Sequence, residues 1–453
     1  MRTYRGRAFT LLLTTLAGLA ACVIPAWGQG TELTTLATLP GLTPSQARVG
    51  VAIDFICPQL KPATAGQQDL LQRCSDMKAG GLAQSQLPDV LGRVTSEEAA
   101  TQGTGSIETR TTQFRAIGPR LAALRLGTTG LSLGRLNPDS DPKTASTAPL
   151  DLDQTGGGAS ADRNFGGPLG AFVNGVGSFG SKSSTDREVG FDFHSVGATA
   201  GVDYRFTDRL VAGLAFSYLR TNADITFGLG QVDSNSYGLS LYGTYYAGPA
   251  YIDVLGGFTW YDYDTTRRIV YGPGPGGPST AVDRTAKGDT NGRQYAFNVG
   301  AGYEFRHQAL TATPYGRVEW LHLDIDGYTE SGANGLDLQV KKQTVESLLM
   351  VLGGRLAYAL STPLGVLLPQ IRGEWRHEAL NDGRAIKAQF ANDPFNTVFS
   401  IPTDKPDRDY FAVGAGLSSV FTKGVAAFLD FETLLGLQGV TNHNVTAGVR
   451  VEF

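Results

Sequence analysis

The chain has 453 residues, of which 59 are glycine, nearly twice the usual ~7%. The sequence has no G-X-Y period, so the glycine excess is not that of collagen. A hydrophobic share of 41% argues against simple disorder. Charged residues make up only 18% and the net charge is −4, so we expect no nucleic acid as a partner. A mean hydropathy of −0.11 excludes a bundle of membrane helices but leaves a membrane β-barrel open, because a barrel needs only alternate residues to be apolar.

Residues 1–28 have the pattern of a secretory signal peptide, which directs export by the Sec route. Three arginines within the first seven residues precede a largely apolar stretch. Small residues up to Gly28 predict cleavage after that residue. Two alternatives stay open, namely a lipoprotein box that ends at a lipidated Cys22 and an uncleaved helical anchor.

Residues 29–126 are predicted to form a short helical region. Thr43 to Gln46 combine an N-cap residue, a proline at the first helical position and a capping-box glutamine. This helix should end at Pro58, a second helix should follow it, and an apolar face predicts a third within residues 106–126. So short a region can form only a small core, which a covalent link would help to stabilise.

Two cysteines, Cys57 and Cys74, are left to pair with each other, since cleavage removes Cys22 and lipidation blocks it. Export places them in an oxidising compartment, and a metal site would need further ligands that this region lacks. We therefore expect a disulfide between them. Two buried free thiols on facing helices are the alternative.

Residues 127–167 are rich in glycine, proline and aspartate and are predicted to be a flexible linker. From residue 168 to residue 453 the apolar residues recur with a period of two, as in β-strands with one apolar face. Twelve such segments lie near 170–180, 192–206, 209–221, 234–246, 250–263, 292–306, 309–324, 342–360, 364–377, 408–421, 424–436 and 441–453.

The connections between these segments alternate in length. Tight turns such as 207–208 and 422–423 alternate with mostly long connections such as 264–291, 325–341 and 378–407. Aromatic residues also gather near the segment ends, as the membrane interface favours. A soluble β-sandwich explains neither feature. The sequence therefore predicts an all-β transmembrane barrel of twelve antiparallel strands with both ends periplasmic, preceded by a small α-helical N-terminal region.

Ten charged residues occupy the less apolar face of the predicted strands. A charge that faces lipid at mid-depth costs about 2–4 kcal/mol, so these residues should point into the lumen. Two interpretations stay open, namely ion pairs across strands that stiffen the wall and a grip on a helix that crosses the lumen. The residues are Arg317, Glu319, Arg355, Arg372, Glu374, Arg376, Asp430, Glu432, Arg450 and Glu452.

The barrel region resembles the C-terminal translocator domain of autotransporters (type V secretion) of Gram-negative bacteria. The resemblance covers about residues 167–453, and a helical stretch at 113–125 is similar to one often found ahead of such barrels. The segments that carry it are 190–206, which ends in GVDYRF, then 240–246 (SLYGTYY), 324–332 (DIDGYTESG), 406–411 (PDRDYF) and 441–453.

This resemblance implies a barrel in the outer membrane whose lumen is crossed by the segment that leads into the first strand. It implies outer-membrane lipid, the barrel assembly machinery and periplasmic chaperones as partners. The family's assembly signal is the last strand with its terminal aromatic residue, which corresponds here to Val449, Val451 and Phe453. From the residues alone, these three form a lipid-facing row.

The chain departs from the family in its short N-terminal region, since autotransporters usually carry a long passenger. The leading hypothesis is a barrel that displays or exports this region. The alternatives are an outer-membrane channel with a periplasmic N-terminal region and an adhesin that binds a host or neighbouring cell through its long loops.

We expect neither catalysis nor a cofactor or metal. The G-x-S-x-G run at 130–134 lacks the strand and helix that a hydrolase elbow needs, and the G-x-G-x-x-G run at 175–180 lies within a predicted strand.

Overall fold

The computed structural model describes residues 34–103, 117–118, 121, 168–273, 281–363, 365–380, 382–405, 407–421 and 425–452. The predicted signal peptide and linker, and most of the predicted helix within 106–126, lie outside these ranges, so the domain boundaries stay predictions.

Twelve antiparallel strands in the described part of the chain form one closed barrel, which confirms the predicted fold. The last strand, Val440–Glu452, pairs with the first, Leu169–Lys182, and closes the barrel, with Val449 opposite Val173. Two short strands, Phe305–His307 and Leu360–Thr362, continue the sixth and the eighth strand. The strands are β1 Leu169–Lys182, β2 Phe191–Thr207, β3 Leu210–Ile225, β4 Gly230–Ala247, β5 Ala250–Tyr271, β6 Val282–Tyr303, β7 Leu310–Ile325, β8 Gln343–Tyr358, β9 Gly365–Glu378, β10 Asp409–Phe421, β11 Val425–Leu435 and β12 Val440–Glu452.

The outer face of the barrel carries an apolar band with aromatic residues at both edges. Rings near the short-turn end include Tyr204 and Phe206, whose centroids lie 5.1 Å apart. Rings nearer the long-loop end include Trp260 and Trp320, which are also exposed. These girdles mark the membrane interfaces. Tyr246 and Tyr410, which also lie near strand ends, are not exposed like the girdle residues, and Tyr246 is buried in the lumen.

β5 and β6 are longer than the sequence predicts. Each has 22 residues, about twice the 9–11 that cross a bilayer. Most of the connection predicted at 264–291 is therefore a hairpin that rises beyond the membrane. Along this hairpin the two faces exchange polarity: Asp264 and Arg268 face outward while Ile269 and Tyr271 are buried inside. The alternation continues, but the apolar face no longer meets lipid.

The two other long connections also contain regular structure. Together they supply a four-stranded antiparallel sheet at the long-loop end, which we call the loop sheet. Its strands are Tyr328–Thr329, Leu338–Val340, Ala385–Phe390 and Phe399–Pro402.

Three α-helices ahead of the barrel lie entirely within the described residues: α1 Pro44–Gln59, α2 Ala65–Lys78 and α3 Leu87–Val94. The predicted capping box opens α1, because Thr43 Oγ1 accepts from the Gln46 amide while Gln46 Oε1 accepts from the Thr43 amide. α1 ends one residue beyond Pro58. No helix in the described ranges is long and apolar enough to cross a membrane.

Candidate functional site at the loop end of the barrel

The helices lie on the long-loop end of the barrel. We call residues 34–103 the helical cap. Its apolar side chains share one buried cluster with the β5–β6 hairpin and the loop sheet, and each side supplies about half of the cluster. Val49, Ile53, Ile56, Leu70 and Leu91 come from the cap, and Ile269, Tyr271, Leu338, Phe390 and Ile401 come from the barrel and its loops. The cap is therefore packed as an integral part of this end.

The predicted disulfide is present and joins the first two helices of the cap. Cys57 lies on α1 and Cys74 on α2, with their Cα atoms 5.6 Å apart. Cys74 is buried. The bond fixes the α1–α2 pair that packs on the loop sheet.

Asp69 ties α2 to the barrel and to a loop. Its carboxylate accepts from the Arg284 guanidinium at 2.5 and 2.8 Å and from the Gly335 amide at 2.9 Å. Burial raises the pKa of Asp69, but these hydrogen bonds outweigh burial and hold the pKa below its ordinary range. The pair is a charge-assisted contact between the cap and β6.

Arg267 of β5 forms the centre of a second junction, which is more deeply buried than the first. Its guanidinium is 1% exposed and makes two hydrogen bonds to Glu330, at 3.1 and 2.5 Å. Its Nη1 donates to the carbonyl of Arg93 on α3 at 2.9 Å, and its Nε lies 3.3 Å from Glu98 Oε1. One guanidinium therefore joins the cap, a barrel strand and the connection between the first two strands of the loop sheet.

Two residues from the predicted third helix lie inside the lumen. Ile117 and Leu121 belong to a buried cluster with Phe172, Tyr242 and Tyr251. Phe172 and Tyr251 lie near the short-turn ends of β1 and β5. The described chain is thus at the long-loop end at Gly103 and in the lumen towards the opposite end at Ile117.

Seven of the ten predicted lumen charges form one network on the inner face of β7, β9 and β11. Arg317 donates to Glu319 at 2.7 Å and to both oxygens of Glu374, at 2.6 and 2.9 Å. Glu374 also accepts from Arg376, which reaches Glu432 at 2.9 Å. Arg372 donates to Asp430 through two nitrogens, both at 2.7 Å, and also donates to Glu432.

The network borders a lumen cavity of about 170 Å³ that Gly118 and Leu121 also line. Arg355 lines the same cavity, and Arg450 lies half-buried on β12. The Glu452 side chain is outside the described part of the structure. The geometry shows ion pairing across strands. We call the described residues 117–118 and 121 the lumen segment, and Gly118 and Leu121 place it at the same cavity as the network.

The residues of the predicted assembly signal lie at the closing seam of the barrel. Val449 is exposed on the outer face, and Val451 is half-buried opposite Ala171 of β1. Phe453 is outside the described residues. Their role in assembly stays a prediction.

Sequence patterns alone missed the junction around Arg267 and the partners of Asp69. The period-two pattern does continue from Thr265 to Tyr271, and this could have extended β5. The pairing of Arg267 with Glu98 and Glu330 joins residues far apart in the chain, so no local pattern records it.

Comparison with known proteins agrees with this architecture. The model of the autotransporter β-domain family matches residues 171–432. Esterase EstA of Pseudomonas aeruginosa is 28% identical over 214 residues, which cover 46% of this chain and 31% of that protein. An extracellular serine protease of Serratia marcescens is 26% identical over 318 residues, which cover 69% of this chain and 28% of that protein. The chain thus spans less than a third of these relatives.

A solved structure shows the same fold. The translocator domain of the autotransporter NalP from Neisseria meningitidis matches with a TM-score of 0.50 and 19% identity, over 64% of this chain and 90% of that one. The family match covers more than half of the chain and falls within the closed barrel. The chain therefore belongs to the autotransporter β-domain family and forms a β-barrel in the Gram-negative outer membrane.

Proposed function

We propose that this autotransporter barrel displays its own N-terminal helical cap on the cell surface and keeps it there. One observation carries the proposal: the cap lies at the long-loop end, while Ile117 and Leu121 lie in the lumen towards the short-turn end. In outer-membrane barrels the short turns are periplasmic and the long loops extracellular. A chain with this arrangement has passed its N-terminal region to the outside.

The packing favours retention of the cap over its release. About half of the shared apolar cluster comes from the barrel and its loops, so separation would expose that surface to water. The contacts of Asp69 and Arg267 would be lost as well. The same placement argues against the channel with a periplasmic N-terminal region.

We further propose that the barrel reaches the membrane with the help of periplasmic chaperones and the barrel assembly machinery. The exposed apolar band supports this, because it must be shielded from water before it meets lipid. The lipid-facing Val449 at the closing seam is where the predicted assembly signal would be recognised.

Adhesion to a host or neighbouring cell is the second candidate function. It is favoured by an exposed apolar patch at the tip of the molecule, where Phe55 of α1 and Phe395 of the loop sheet region place their ring centroids 6.1 Å apart. Our proposal includes no catalysis by this chain, and the G-x-S-x-G run at 130–134 lies outside the described residues.

Display can be tested with an epitope tag in the connection between α1 and α2, within residues 61–64, which is largely exposed. Intact cells should bind an antibody to this tag and should lose the tag to added protease. A second tag in the short turn at 208–209 is the matched control and should become accessible only after the outer membrane is broken. A cap tag that is protected in intact cells while the turn tag behaves as expected would rule out display.

A further inference from the structure

Among the residues that the structure describes, the junction around Arg267 contains more negative than positive charge. Glu98 and Glu330 are 4% and 5% exposed, and both face the single guanidinium of Arg267. Glu330 accepts two hydrogen bonds from Arg267 and a third from the Leu338 amide at 2.8 Å. Glu98 has the longer contact and accepts from the Ser96 hydroxyl at 2.7 Å. A second buried carboxylate without a full partner is costly in its charged form.

We propose that the cap docks together with a proton on Glu98, so that this junction is a proton-linked clamp that loosens as the outside solution becomes alkaline. The inference rests on the proposed function only in that display exposes the clamp to the outside pH. The clamp itself is a property of the folded chain.

The surroundings of Glu98 support the protonated form. Burial raises the pKa of Glu98 from 4.5 to about 8; Arg267 lowers it and Glu330 raises it further. Two more titratable groups face the junction from the same loop segment as Glu330. Burial raises the pKa of Tyr328, which keeps that phenol neutral, and burial also raises the pKa of Asp337.

The neighbouring Glu97 adds a second proton at the same edge of the cap. Its carboxylate accepts from the Val189 amide at 3.0 Å in the connection between β1 and β2. Burial raises the pKa of Glu97 from 4.5 to about 7, the Val189 amide and Lys182 lower it, and Glu188 raises it. Lys182 itself pairs with two other carboxylates, those of Glu188 and Asp404.

The direction of the pH effect follows from these shifts. A carboxyl group whose pKa is raised by docking gives stability that is complete below its ordinary value of 4.5 and is lost as the pH rises towards 7 for Glu97 and 8 for Glu98. Each such proton changes the docking equilibrium by about tenfold per pH unit within that window. The cap should therefore be held most firmly in mildly acidic solution.

Hydrogen exchange of the full chain in detergent micelles tests the clamp. The protection of peptides that span residues 87–103, corrected for the intrinsic exchange rate, should fall by about tenfold or more per pH unit between about pH 5 and 8. Glu98→Gln should flatten most of this fall and keep high protection at the alkaline end. The double variant with Glu97→Gln should show no slope.

Two controls make the outcome decisive. Asp89→Asn removes an exposed carboxylate from α3, where Asp89 pairs with Arg93, and should leave the slope as in the wild type. Peptides from the middle of β3 should show no slope in any variant. An unchanged slope in Glu98→Gln, a flat wild type, or a loss of protection at every pH in Glu98→Gln would overturn the proposal. Micelles have no inside or outside, so these results do not depend on surface display.

Discussion

At the scale of single residues, the charge network in the lumen depends on Glu374. Its carboxylate, almost fully buried, accepts from Arg317, Arg376 and the Tyr315 hydroxyl. Because each guanidinium also has a second acidic partner, the network joins β7, β9 and β11 into one wall. Removal of the Glu374 charge leaves two desolvated guanidinium groups with fewer acceptors. Loss of one partner of a buried ion pair destabilises the fold strongly, because the other partner stays buried and charged.

We predict that Glu374→Gln lowers the stability of the barrel by ~3 kcal/mol. The measurement is the urea concentration at which heat-modifiable mobility is lost for protein in micelles. Glu346→Gln is the matched control: this carboxylate is half-exposed and contacts His322 at 3.0 Å, so its loss should change stability by less than about 1 kcal/mol. Equal effects of the two substitutions would show that the network does not support the wall.

At the scale of elements, the disulfide determines how α1 and α2 meet the loop sheet. It closes a loop with a sequence separation of 17 between its cysteines. A link over such a loop is worth about 3 kcal/mol, mainly because it restricts the unfolded chain. The cap supplies only about half of the apolar cluster that buries it, and the barrel and its loops supply the rest. The disulfide is therefore a large share of the stability of the cap.

We predict that replacing Cys57 and Cys74 together by serine makes the cap sensitive to trypsin at a lower urea concentration, while the barrel fragment stays resistant. Wild-type protein treated with a reductant should show the same change, which separates loss of the bond from an effect of the serines. If cap and barrel became sensitive together at the wild-type concentration, the disulfide would have no local role.

At the scale of the whole molecule, the cap and the lumen segment obstruct the two ends of one channel. The cap covers the long-loop end through the β5–β6 hairpin and the loop sheet, and Ile117 and Leu121 fill part of the lumen towards the short-turn end. An open barrel of twelve strands would have a water-filled interior.

We predict a low steady conductance for the full chain in planar bilayers. Removal of residues 34–103 should raise it, and removal of residues 34–126 should raise it several-fold further, because the second deletion also takes away Ile117 and Leu121. Equal conductance of all three proteins would mean that neither segment closes the channel.

The sequence predicts most of the barrel because lipid imposes a strict period-two pattern on each strand. The strands predicted at β5 and β6 are too short, because the outer face becomes polar beyond the membrane, as at Asp264 and Asp289. The period-two pattern then no longer indicates a lipid-facing strand. The junction around Arg267 is less predictable still, since Arg93, Glu98 and Glu330 meet only after the barrel has closed and the cap has docked.

The shared apolar cluster has a consequence for the direction of export. About half of this cluster comes from the β5–β6 hairpin and from the loops at the same end of the barrel, which in the proposed display lie outside the membrane. On the periplasmic side those surfaces are absent, so we expect the same chain segment to remain too weakly folded there to resist passage. In the proposed display the segment meets these surfaces outside the membrane and folds there. We expect the free energy of that folding to favour export and to oppose return of the N-terminal region.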